Sequence, residues 1–148
     1  MTRVEVTVTI ERPPEVVFAF ISDFEKNSLW QSGVEKAWFT SNDPFGVGST
    51  YTQLSKFLGR DIEFHFEVIR FEPNKVVEFH TMSGTFPVRI VRAVEPVAEG
   101  TRVKAVIEGE ASGIFKLAAP ILDWFTQRQI ESDYERLKVL LESQEGER

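Results

Sequence analysis

The sequence predicts an α+β fold: a seven-stranded, curved antiparallel sheet wrapped around a long C-terminal helix, with two short helices after the first strand. Three observations predict it. The run from Gly113 to Glu142 is the one stretch long and periodic enough for a large helix, with Phe115, Ala119, Leu122, Thr126, Ile130, Tyr134, Leu137 and Leu141 on one side at about 100° per residue. Most of the chain before it alternates apolar and polar residues with the period of two that marks strands. The breaks between those runs are short, which forces neighbouring strands antiparallel. An apolar helical stripe needs an apolar surface to lie on, and one face of the sheet supplies it.

The first strand is read from Val4, Val6, Val8 and Ile10, which alternate with Arg3, Glu5, Thr7 and Thr9 and turn the even positions inward. In RPPEVVFAFISDFEKNSLW, Arg12 to Trp30, the prolines suit a helix start and Glu15 suits its first turn, while Val16, Val17, Ala19, Phe20 and Ile21 follow at helical spacing. Ser22 or Asp23 can cap a second short helix ending near Trp30. Six strands follow, at about Val34 to Ser41, Gly48 to Lys56, Arg60 to Phe71, Val76 to Ser83, Thr85 to Pro96 and Thr101 to Ser112. Turn residues separate them: Asp43, Pro44, Gly46 and Gly48, then Gly59, then Pro73 with Asn74, then Ser83 with Gly84 as a tight hairpin, then Glu99 with Gly100.

These turns set a register. Phe71 should face Val76, Val68 should face Phe79 and Phe66 should face Thr81; across the next hairpin Thr81 should face Phe86, Phe79 should face Val88 and Val77 should face Ile90. The same reasoning turns Tyr51, Gln53, Ile62 and Phe64 inward, together with Val103, Ala105, Ile107 and Gly109.

Composition bounds the function. The 148 residues, 42% of them apolar, make a single domain over 1–148 with one core. A formal charge of −6 offers no basic field for a phosphate backbone, so nucleic acid is not an expected partner. The absence of cysteine excludes disulfides, thiol chemistry and thiolate metal sites. No signal-peptide pattern or membrane-length apolar run is read, and a soluble cytoplasmic protein is expected. Thirteen Phe and three Trp are a large aromatic content for this length.

With the elements in place, PPEVVFAFISDFEKNSLW after the first strand, DPFGVGSTYT, FEPNKVVEF and VEPVAEGTRV at the turns, and PILDWFTQRQIESDYERLKVLLE at the end resemble the START-like (SRPBCC) superfamily, in its bacterial polyketide cyclase/dehydrase-type members. The resemblance spans essentially the whole chain and rests on turn and core positions rather than reacting groups. It implies a helix-grip fold with an internal cavity that in relatives holds lipids, sterols, quinones, hormones or polyketides.

The inward register makes Tyr51, Gln53, Phe64, Phe66, Phe79, Thr81, Phe86, Val88, Ile90 and Ile107 the candidate lining, with Leu122, Thr126 and Ile130 from the helix and Trp30 and Phe39 closing one end. Burying roughly 300 Å² of an apolar ligand at about 25 cal/mol/Å² gives about 7 kcal/mol gross, enough for micromolar affinity after entropic costs. The competing reading is a solid aromatic core. Arg92 interrupts the apolar face between Ile90 and Val94; it either anchors the polar end of a ligand with Tyr51 and Gln53, or lies near a sheet edge and snorkels to water.

Catalysis by proton transfer would need a group titrating near neutral pH inside the cavity. The register instead puts His65 with Glu63 and Glu67, and His80 opposite Glu67, on the outer face, with Glu78, Glu108 and Glu110 also outward. No catalytic residue, metal site or cofactor is therefore assigned. On the helix, Leu117, Ile121 and Trp124 lie opposite the core stripe beside Pro120, which should kink the axis; they either turn into the core or form an exposed patch for dimerisation or a membrane surface. The expected function is binding, for carriage or transfer, of a hydrophobic small molecule such as a lipid, quinone or aromatic polyketide. The alternatives are a polyketide cyclase/dehydratase and a protein-interaction module with a filled interior.

Overall fold

The computed structural model describes residues 2–57, 59–83, 87–109 and 119–144. Its elements run β1 (Thr2–Ile10), α1 (Pro14–Ser22), a 3-10 turn (Phe24–Lys26), α2 (Asn27–Trp30), β2 (Val34–Phe39), β3 (Thr50–Phe57), β4 (Arg60–Glu72), β5 (Val76–Ser83), β6 (Val88–Val97), β7 (Gly100–Gly109) and α3 (Ala119–Ser143). The strands form one antiparallel seven-stranded sheet in the order β1-β7-β6-β5-β4-β3-β2. Every connection along the sheet from β2 to β7 is between chain neighbours, and β1 closes the far edge beside β7. This is the predicted helix-grip arrangement.

The register agrees with the turn argument at Val68–Phe79, Phe66–Thr81 and Glu67–His80, and departs from it in three places. An extra residue between Val68 and Arg70 moves Phe71 from Val76 to Val77, and Ile69, carried outward by this bulge, is 38% exposed. A second irregularity pairs His65 with Ser83 and leaves Met82 outside the ladder. Across β5 and β6, Phe79 faces Ile90 rather than Val88, and Val77 faces Arg92 rather than Ile90. That is a slip of two residues, and a slip of two keeps every side chain on its own face. β6 begins at Val88 rather than near Thr85, and residues 84–86 of the connection lie outside the described residues. Likewise β2 stops at Phe39 rather than Ser41, and β3 starts at Thr50 rather than Gly48. The front of the predicted helix, 113–118, and Phe86 lie outside the described residues. The described part of α3 includes Pro120, and the residues before Ala119 on which the expected kink depends lie outside the described residues.

One core joins the sheet to the helices. Ile10, Val17, Ile21, Phe24, Trp30, Val77, Phe79, Val103, Leu137 and Leu141 are buried together in it. α3 also seals the free edge of β1, where Lys138 Nζ donates to the Thr9 carbonyl at 2.7 Å and Gln127 Nε2 to the Glu5 carbonyl at 3.4 Å. Its C-terminal end is clamped there. Arg12 donates to the Leu141 carbonyl at 2.7 Å, while the Glu142 carboxylate accepts from the Glu11 N–H at 2.9 Å and from Lys138 at 2.7 Å.

Two predictions follow from this clamp and from the β6–β7 turn beside it. Partial burial pushes the Glu142 carboxyl up, but Lys138 and the Glu11 N–H outweigh it and hold the group below its ordinary value. Its contribution is therefore present above the unfolded carboxyl pKa and lost as pH falls through the depressed folded one. Glu142→Gln should cost up to about 1 kcal/mol in urea denaturation at pH 7, and the gap to wild type should close on acidification; a gap that persists at low pH contradicts the clamp. Gly100 has φ +140° and a methyl at its position would run into the Ile10 carbonyl oxygen, so Gly100→Ala should destabilise by about 2–3 kcal/mol. A change below about 0.5 kcal/mol contradicts that close approach.

Candidate functional site

The interior between the sheet and α3 is graded from one end to the other. At one end the inward side chains are sealed: Ile10, Val77, Val94 and Val103 from the strands, Leu137 and Leu141 from α3. Toward the other end the same inward rows become half-buried, at Phe64 on β4, Thr81 on β5, Val88 and Ile90 on β6, Ile107 on β7, and Thr126 and Ile130 on α3. Alternation in the strands and helical spacing in α3 place these residues on the same inner surface. The accessible half is therefore mostly apolar.

Arg92 stands where the two halves meet. β6 is an interior strand, and Arg92 is flanked across the sheet by Val77 and Ala105. Only 3% of it is exposed, which overturns the sheet-edge, snorkelling alternative. Its Nε donates to the Tyr134 hydroxyl at 3.1 Å and its Nη1 to the Ile21 carbonyl at 3.0 Å. The guanidinium also lies over the rings of Trp30 at 5.0 Å, Phe79 at 5.1 Å and Phe24 at 5.9 Å. Among the described residues no carboxylate comes within ion-pair distance of it. Ile21 lies in the last turn of α1, so its carbonyl carries the negative end of that helix's dipole toward the charge. Among the described residues, dipoles and π faces hold the cation.

A second polar group sits beside the first. Asn27 Nδ2 donates to Gln53 Oε1 at 3.0 Å, and Gln53 Nε2 donates to Ser55 at 3.2 Å. Tyr51 stacks on Phe66 with centroids 4.9 Å apart and packs on Phe24 at 4.3 Å. Burial pushes the Tyr51 hydroxyl above the usual phenol value, opposed by the Arg92 charge and the Asn27 side chain. Burial also raises Tyr134, opposed by the charge and hydrogen bond of Arg92. Both phenols stay protonated at neutral pH. Trp30 Nε1 and Asn27 Oδ1 are buried with no hydrogen-bond partner among the described residues.

Of the residues expected to line the site, Tyr51, Gln53, Phe66 and Phe79 are in the aromatic and polar cluster, while Phe64, Thr81, Val88, Ile90, Ile107, Thr126 and Ile130 line the accessible half. Trp30 is buried against Tyr134, and Phe39 packs on Phe24 and Phe45. Phe86 and Leu117 lie outside the described residues, as do the side chains of Leu122, Ile121 and Trp124. The sequence reading missed Phe24, Asn27, Tyr134 as a site residue and the Ile21 carbonyl. Tyr134 had a signal, being the only phenol in the helical stripe; a main-chain oxygen has none.

On the outer face the two histidines are paired as expected, Glu78 is buried, and Glu110 lies outside the described residues. His80 Nε2 is 3.6 Å from Glu67, and His65 lies between Thr52 at 2.9 Å and Glu63 at 3.1 Å. Arg89 bridges Glu78 and Glu108. Among the described residues no cluster of three metal-ligating side chains occurs, and no helix is long and apolar enough to cross a membrane.

The profile of the family described as "Polyketide cyclase / dehydrase and lipid transport" matches residues 1–142. The chain belongs to that family. Solved structures of the same fold include TTHA0849 from Thermus thermophilus, 21% identical with a TM-score of 0.80 over 92% of this chain and 94% of that one. A START superfamily protein from Mycobacterium smegmatis is 20% identical, with a TM-score of 0.68 over 93% and 99% of the two chains. The Zhui aromatase/cyclase from Streptomyces is 13% identical, with a TM-score of 0.76 over 96% and 94%. No curated protein matches the chain. In this family member, then, the helix-grip fold carries a buried arginine whose partners among the described residues are neutral.

A double-mutant cycle measures that arginine. Tyr134→Phe should cost about 1–3 kcal/mol by stranding the Arg92 Nε–H, and adding Arg92→Met should recover most of the loss. A double variant at least as unstable as the sum of the single variants contradicts the assignment.

Proposed function

We propose that this protein binds a hydrophobic small molecule between the sheet and α3 and acts as a carrier or transfer protein. The observation that carries this reading is the graded interior: inward apolar side chains are sealed at one end and remain half-accessible at the other, where Phe64, Val88, Ile90, Ile107 and Ile130 gather. The gradient runs along β5, β6, β7 and α3; on β1 the inward Val4, opposite Ile107, is buried. The family's lipid-transport description and the START-type fold support the same reading. Proton-transfer chemistry finds less support: the two interior phenols are held protonated, and the buried Asp133 carboxyl, pushed up by burial, accepts from the Ser32 N–H and hydroxyl and lies 3.5 Å from Arg136. Arg92, with Tyr51 and Gln53 nearby, is the polar end of the site.

The test is binding of a neutral apolar fluorophore, N-phenyl-1-naphthylamine. Wild type should bind it with roughly micromolar affinity and a blue-shifted emission. Ile107→Trp, which fills the accessible half opposite Ile90, should weaken binding at least about tenfold with an unchanged far-ultraviolet spectrum. Absence of binding to the wild type, or equal binding to the variant, contradicts the proposal.

A further inference from the structure

Resting on that binding reading, we propose that the natural ligand is a monoanion, an apolar body bearing one carboxylate, and that the carboxylate pairs with Arg92. Three independent features of the interior converge on this class. The first is charge: a guanidinium 3% exposed has no acid within ion-pair distance among the described residues, although Arg89, Arg102 and Arg136 are each paired with one. A buried cation held only by neutral groups gains most from a partner of opposite charge, and a planar carboxylate matches its fork.

The second feature is a surplus of donors. The described hydrogen bonds use Nε and Nη1, whereas a guanidinium carries five N–H groups. Tyr134 accepts from Arg92 through its oxygen, which leaves its own O–H to donate. The Trp30 indole N–H, whose ring lies 5.0 Å from the guanidinium, is buried without an acceptor among the described residues. A head group at this place needs lone pairs more than protons. An alcohol or a single carbonyl satisfies less of this set than two carboxylate oxygens do.

The third is direction. From Arg92 the next inward residue along β6 is Ile90, flanked by Phe79 and Ile107, and the next turn of α3 from Tyr134 brings Ile130. The polar point is thus at the inner limit of the accessible half, and the way out is apolar. A molecule oriented by this interior enters head first, with its apolar body following.

The experiment compares each acid with its methyl ester at pH 7, by displacement of N-phenyl-1-naphthylamine, for an aliphatic body (dodecanoate) and an aromatic one (anthracene-2-carboxylate). At least one acid should bind tenfold or more tightly than its ester, and whichever body shows the preference identifies the source of the carboxylate. In Arg92→Met the acid should fall to within about threefold of the ester, whose own affinity should change little. The acid-to-ester ratio on the wild type stands by itself if the variant fails to fold. Esters that bind as well as their acids overturn the carboxylate assignment while the binding function stands; a wild type that takes neither acids, esters nor the fluorophore overturns both.

Discussion

The constraint on which the interior depends is a positive charge held away from water with no acid beside it among the described residues. Removing an ion of this size from water costs several kcal/mol even after a protein has relaxed around it. Arg92 offsets that cost with a hydrogen bond to the end of α1, another to the phenol of α3, and contact with three aromatic rings, one of them from α2. Each ring contributes on the order of 0.5–2 kcal/mol. The same contacts tie all three helices to the centre of the sheet. A hydrophobic side chain of similar volume would give a quieter core, and the proposed recognition role supplies a reason to keep the charge.

The fold makes such a charge possible. An arginine on an edge strand would reach solvent, but β6 is covered by β5 and β7 on either side and by the helices on its inner face. Ala105 across the ladder is small enough to leave the guanidinium room. The clamp at the C-terminal end of α3 fixes the sealed half by joining Leu141, Glu142 and Lys138 to the end of β1. The clamp therefore lies at the sealed end of the sheet, away from the half-buried inward residues of β6 and β7.

Much of this was legible in the residues. The inward set survived a two-residue slip between β5 and β6 because strand side chains alternate with a period of two, so an error of two in a hairpin leaves every face correct. The bulge that moves Phe71 onto Val77 was not legible: nothing in the local sequence marks Ile69 as the extra residue. Arg92 could be placed inward from its position between Ile90 and Val94, but its partners could not be named. One is the main-chain oxygen of Ile21, and the rings of Phe24 and Trp30 come from the helical segment after β1, whose docking depends on tertiary packing. Exposure was equally out of reach, because alternation assigns a face and not a depth.

The most direct test of a guest-holding interior is native mass spectrometry of protein taken straight from expression, with and without prior extraction into organic solvent. A fraction of the protein should carry a single small organic molecule, released on unfolding and recovered as an acid in the extract. A spectrum holding only the mass of the bare chain, together with a crystal structure whose interior is packed solid beyond Arg92, would contradict it.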